Sequence, residues 1–171
     1  MQENLKKIGI PTSTTLAASA LLLIAPILAF ADTPHFLFAD SSLSGSSLVC
    51  FFKEVGLGNL GFSSMYETCS ATATAIYECV NNGGNHPKAT NKETVTSPVK
   101  GSGTFPISNG QANGVIIIGA PGPGSFSCPG GQTRALFSVT YTNMMLCDQL
   151  GNCVKLVPPT QTFTNSSAPT P

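Results

Sequence analysis

Six cysteines, Cys50, Cys69, Cys79, Cys128, Cys147 and Cys153, all follow a hydrophobic N-terminal segment, and this arrangement constrains the chain more than any other feature. Lys6 and Lys7 precede Leu16 to Phe30, an apolar stretch broken only by Ser19 and Pro26. A positive start followed by an apolar run shorter than the ~20 residues of a membrane span is the layout of a secretory signal. Ala29 and Ala31 form an A-x-A cleavage site, so residues 1–31 are expected to be removed and the mature chain to begin at Asp32. An uncleaved anchor is the alternative; Pro26 and the short run argue against a stable span. Export delivers the cysteines to an oxidising compartment, where an even count reads as three disulfides. Zinc competes with that reading, but the chain has no C-x-x-C pair and neither His35 nor His86 stands at ligand spacing from a cysteine. Free thiols are the other competing reading.

Residues 32–164 are enough for one domain with a real core and too few for two, and residues 165–171 (Asn-Ser-Ser-Ala-Pro-Thr-Pro) read as a flexible tail. Asn165-Ser166-Ser167 fits the N-glycosylation pattern, which matters only where the transferase exists. From Asp32 onward six basic side chains face seven acidic ones. No basic cluster is present to replace phosphate counterions, so nucleic acid is not an expected partner. The low charge does not predict disorder, because the apolar residues fall in alternating runs able to bury a core.

Those runs define the fold class: all-β, an antiparallel β-sandwich, immunoglobulin-like in general architecture, with about seven or eight strands stapled by disulfides. The expected strands are His35–Ala39, Ser47–Val55, Met65–Val80, Glu93–Val99, Gly103–Ile107, Ala112–Gly119, Arg134–Cys147 and Cys153–Phe163. Between them stand Asn82-Gly83-Gly84, Asn109-Gly110, Pro121-Gly122-Pro123-Gly124, Pro129-Gly130-Gly131 and Gly151-Asn152, residues that tolerate positive φ or fix it at a turn value. Val115–Ile118 is apolar on both faces and predicts a central, doubly buried strand. Met65–Val80 and Arg134–Cys147 exceed ordinary strand length, so a bulge or bend is expected in each.

Six cysteines allow 15 connectivities. Cys147 and Cys153 flank a polar loop between apolar runs, which sets them opposite each other at the mouth of a hairpin. Cys69 and Cys79 share an inward face with Ala71, Ala73, Ala75 and Tyr77, while Thr68, Thr72, Thr74 and Glu78 take the other. An antiparallel register bringing Cys50 opposite Cys69 is compatible with a Gly-rich connection at residues 56–63, although it also sets Glu67 opposite Phe52. Cys79 with Cys128 then remains, closing the longest loop and expected to matter most for stability.

Catalytic constellations are nearly absent. A Ser or Thr nucleophile needs a base within hydrogen-bond reach, and only His35 and His86 could serve. His35 reads as a strand-edge residue, and His86 as part of the surface loop Asn81 to Lys88. Glu54, Glu67, Glu78 and Glu93 are scattered, with no spacing that pairs them for glycoside hydrolysis. Met144-Met145 beside Cys147 could suggest soft-metal binding, but one of two adjacent strand residues ordinarily faces the core. No cofactor, metal or catalytic residue is assigned.

Several segments resemble a group of small secreted bacterial β-rich proteins with no known activity: Ser47-Leu48-Val49, Phe52 to Asn59, Tyr77 to Pro87, Asn91 to Val95, Phe126 to Gln132 and Val139 to Asn143. The likeness covers most of residues 35–163. It implies export, β architecture and a Cys79–Cys128 bridge as the group's basic feature, with the other four cysteines as additions, and implies no chemistry. The expected function is therefore a monomeric, secreted or cell-surface, non-enzymatic binding module whose partner is an extracellular protein or an envelope glycan. Its candidate binding loop contains Asn82, Asn85, His86 and Lys88. A small hydrolase using His86, and a structural envelope or matrix component, are the alternatives.

Overall fold

A computed structural model describes residues 33–81 and 91–165, which contain eight strands and no α-helix. The Ala31/Asp32 cleavage site, the loop carrying Asn82, Asn85, His86 and Lys88, and the tail from residue 166 lie outside the described residues. The strands are β1 (His35–Ser44), β2 (Ser47–Val55), β3 (Ser64–Asn81), β4 (Lys92–Pro106), β5 (Ala112–Ile118), β6 (Gln132–Asp148), β7 (Cys153–Lys155) and β8 (Gln161–Thr164). Strands β1-β2-β5 form one antiparallel sheet; β4-β3-β6-β7 form the other, with β8 pairing the same edge of β6 beyond β7. Inward residues of both sheets meet in a main apolar cluster and in a smaller one around Leu57, Met65 and Ala112, giving a two-layer sandwich.

Period-two alternation in β3 is nearly perfect. Met65, Glu67, Cys69, Ala71, Ala73, Ala75 and Tyr77 are buried, while the alternate residues between them face outward. The three alanines keep the middle of β3 low, so bulkier side chains of the opposite sheet, Leu48, Phe52 and Ile116, fill the space above them. Buried tyrosines find acceptors: Tyr141 donates to the Ser46 carbonyl at 2.7 Å and Tyr77 to the Pro121 carbonyl at 2.6 Å.

The bridges are Cys50–Cys69, Cys79–Cys128 and Cys147–Cys153, and no described cysteine is free. Cys147 and Cys153 are direct partners across the β6–β7 hairpin. Cys50 and Cys69 are not partners in a hairpin. β2 and β3 belong to different sheets, so this bridge crosses the core and ties the layers together. The hairpin register inferred from the sequence is thereby corrected, and with it the placing of Glu67 opposite Phe52.

Four further expectations change. Glu93–Val99 and Gly103–Ile107 fuse into β4, because Gly101 is not a turn residue: a Cβ there would stand 2.9 Å from Ile116 Cγ2 and 3.1 Å from the Ile117 carbonyl oxygen. The expected strand Cys153–Phe163 divides at Pro158-Pro159, which lack ladder donors. The intervening segment crosses to β1 instead, where Ser41 N–H donates to the Val157 carbonyl at 2.8 Å and Val157 N–H to that of Ala39 at 3.1 Å. Val115–Ile118 lies in an edge strand rather than a central one, and Val115 and Ile117 are 47% and 63% exposed. Both bulges of the β3–β6 pair fall in β6, near Phe137 and near Asn143, whose φ is 52°, while β3 pairs with β4 without irregularity.

Phe105 locks one end of the core. Its ring meets Phe52 edge-on with centroids 4.9 Å apart and lies over Gly114, where a Cβ would come within 2.1 Å of Phe105 Cε1. Gly114→Ala must push that ring off its site and is expected to cost about 1–3 kcal/mol, as overpacking usually does. Gly119→Ala, with nothing within 4 Å, is expected to be near neutral. Urea unfolding of the two variants checks the contrast.

Candidate functional site

Two clusters stand out once the sheets are in place, one inside the sandwich and one on its surface. Inside, Glu54 follows Leu48, Cys50 and Phe52 on the inward face of β2, and Glu67 lies between Met65 and Cys69 on the inward face of β3. Both carboxyl groups are fully buried, and none of their four oxygens has a hydrogen-bond donor from another group. Burial raises the pKa of both; the facing Glu54 and the nearby Asp148 add to the effect at Glu67, and His35 at the start of β1 opposes it slightly at Glu54. The consistent chemical state is a carboxyl pair that retains a proton between its two members. Asp148, cross-strand neighbour of Glu67, is satisfied by its own loop: Oδ1 accepts from the Leu150 and Asn152 N–H groups at 2.8 Å each, and Oδ2 accepts from Asn152 Nδ2 at 2.6 Å.

Alternation could have exposed this pair, since each glutamate shares a face with core residues in its own strand. What the sequence could not show is that the two faces oppose each other. Neither side chain has exposed surface, and among the described residues no group of three or more His, Cys, Asp or Glu side chains is placed to hold a metal ion. Glu78, also buried, pairs with Lys92, whose ammonium sits 5.2 Å from the centroid of the Phe137 ring. His35 is exposed at the start of β1 and its Nδ1 contacts the Thr33 carbonyl at 2.8 Å. Met144 is buried and Met145 is partly exposed, the split that packing in a strand requires.

On the surface, the outward side chains of the larger sheet form a grid. One row runs Thr96–Thr74–Thr140–Thr162 across β4, β3, β6 and β8. Flanking rows run Pro98–Thr72–Thr142 and Thr94–Ile76–Ser138–Thr164. Eight of these eleven positions are threonine and none is charged. Each of the four strands supplies a Thr-x-Thr pair, so hydroxyls and methyls repeat in both directions. Thr74 and Thr96 hydroxyls are hydrogen-bonded at 3.1 Å, as are those of Thr140 and Thr162. At one margin the Asn143 bulge separates two depressions of about 320 and 500 Å³, the first reaching Lys155 and the second Lys100. Asn143 Nδ2 donates to Thr72 Oγ1 at 3.5 Å. The Glu78–Lys92 pair lies at the opposite margin.

No family model matches the chain. Neither a curated protein nor a solved structure matches it. Site chemistry therefore has to be read from the two clusters themselves: a closed carboxyl pair suited to holding a proton, and an open, uncharged hydroxyl grid suited to contact. No helix among the described residues is long and apolar enough to cross a membrane.

Proposed function

We propose that this chain is an exported, non-enzymatic recognition module, immunoglobulin-like in general architecture, that engages its partner through the outer face of its larger sheet. The observation that carries the reading is the in-register hydroxyl grid centred on Thr74 and Thr140. Solvated sheet faces usually intersperse charges of both signs for solubility. This one keeps its charges at the margins and presents threonines whose branched side chains are stiff about χ1 and linked in pairs. Little side-chain entropy remains to be lost on contact. Three disulfides, one of them joining the layers, support an oxidising destination. The loop of Asn82, Asn85, His86 and Lys88 connects β3 and β4, two of the strands that carry the grid.

The test is retention of the disulfide-intact protein on a panel of insoluble surfaces: cellulose, chitin, peptidoglycan and ice. Wild type is expected to be held by one of them, and Thr74→Lys/Thr140→Lys to be released while its melting temperature stays close to that of wild type. Retention of wild type by none of them, or equal retention of the double variant, would refute binding by this face.

A further inference from the structure

We infer that the surface this grid recognises is crystalline water, an inference that rests on the recognition role proposed above. The spacing is the first reason. Neighbouring strands lie about 4.8 Å apart and alternate residues along a strand about 6.7 Å apart, so the directly opposed Thr-x-Thr pairs of β3 (Thr72, Thr74) and β6 (Thr142, Thr140) outline a rectangle close to the two repeats of hexagonal ice. Sheet twist of roughly 20–25° between adjacent strands confines strict matching to neighbouring pairs. β3 with β6 is one such pair (Thr72 opposite Thr142, Thr74 opposite Thr140); on either side the Thr-x-Thr pairs of β4 and β8 are offset by two residues and extend it through Thr96, opposite Thr74, and Thr162, opposite Thr140.

Side-chain chemistry is the second reason. Threonine offers a hydroxyl that both donates to and accepts from water, beside a methyl that cannot hydrogen-bond and leaves adjacent water to bond laterally. Repeated on a regular backbone, that combination holds a hydration layer with lattice-like spacing, which a growing crystal can incorporate. A charge within the grid would orient water around itself and break the layer, and the grid contains none. A polysaccharide fits less well: sugar rings are held by aromatic platforms, and the only outward aromatic ring on β3 is Tyr66, well away from the grid, hydrogen-bonded to Ser102 at 2.8 Å. Protein partners ordinarily bury aromatic and arginine anchors, and none of the eleven grid positions is aromatic or arginine.

Slow growth of an ice shell from a dilute solution of the disulfide-intact protein, labelled and mixed with an inert reference protein, tests the inference. Wild type is expected to enter the ice in excess of the reference and to slow recrystallisation of a polycrystalline film. Thr74→Lys/Thr140→Lys is expected to fall to the reference level, whereas Asn113→Lys, a single lysine placed on the outer face of the other sheet, is expected to behave as wild type. Should the lysine pair prevent folding, Thr74→Val/Thr140→Val keeps the methyls and β propensity and is expected to be incorporated less than wild type. Exclusion of wild type from ice overturns the inference whatever the variants do. If the protein is excluded from ice but held on cellulose or chitin through the same threonines, only the choice of ligand fails; if no surface holds it, the recognition role fails as well.

Discussion

Removing either long-range disulfide is expected to cost about 4–5 kcal/mol, and removing the hairpin bridge only about 2. The closed loops decide the first part of this ranking. Sequence separations of 49, 19 and 6 residues for Cys79–Cys128, Cys50–Cys69 and Cys147–Cys153 correspond to chain-entropy contributions of about 4, 3 and 2 kcal/mol. Burial then brings the two larger effects together. Cys50 and Cys69 are both fully buried where the sheets meet, so Cys50→Ala/Cys69→Ala also leaves voids at the sulfur positions, each worth about 1 kcal/mol. Cys147 and Cys153 join strands already paired by backbone bonds, and Cys153 is exposed. With a domain of this size stable by roughly 5–15 kcal/mol, loss of a long-range bridge removes much of the margin and loss of the hairpin bridge does not. Denaturant unfolding of the three double-alanine variants measures the order. A larger loss for Cys147→Ala/Cys153→Ala than for either of the others would contradict it.

Stability is expected to fall as pH rises from mildly acidic to alkaline values, because the buried Glu54–Glu67 pair binds protons more tightly in the folded chain than in the unfolded one. An unfolded glutamate titrates near its ordinary 4.5, whereas burial first, with Asp148 acting on Glu54 and both Glu54 and Asp148 acting on Glu67, lifts Glu54 to about 7 and Glu67 to about 9. Between those limits the folded state carries more protons than the unfolded state, so stability declines with pH across the window. The pair's favourable contribution is complete below about pH 4.5 and is lost as pH passes through the raised values. Asp148 from β6 adds repulsion toward both groups, and His35 from β1 offsets part of it at Glu54. The change is expected to be on the order of a few kcal/mol between about pH 5 and pH 9. Glu54→Gln/Glu67→Gln, neutral at every pH, is expected to flatten the profile. Urea midpoints across that range decide the matter, and an unchanged slope in the double variant would show that other groups set it.

These effects were unequally visible in the residues. The β6–β7 bridge is legible because Cys147, a polar loop and Cys153 form a local hairpin whose geometry needs no knowledge of the rest of the chain. Alternation around Cys69 and Ala71 is equally local and marks the inward face of β3. Gly101 and Gly114 are different. In a list of residues Gly101 stands between two strands like a turn glycine and Gly114 is one more residue of a strand, yet one admits the opposite sheet and the other the Phe105 ring, contacts made by residues distant along the chain.

The apolar run Val115–Ile118 misleads for a related reason: hydrophobicity on both faces reports that a strand is favourable, not how many neighbours it will have. Glu54 and Glu67 are scattered in sequence and become a pair only because β2 and β3 enter different sheets. Likewise, each Thr-x-Thr pair is present in its own strand, but the grid exists only through cross-strand register.

Strand content, the inward faces and the local hairpin bridge were thus properties of the chain itself, since short-range periodicity and turn chemistry are enough to specify them. Sheet membership, the layer-crossing bridge, the proton-holding carboxyl pair and the hydroxyl grid were decided by tertiary structure. Each depends on which strands become neighbours, and that choice is made by packing summed over the whole core rather than by any one segment.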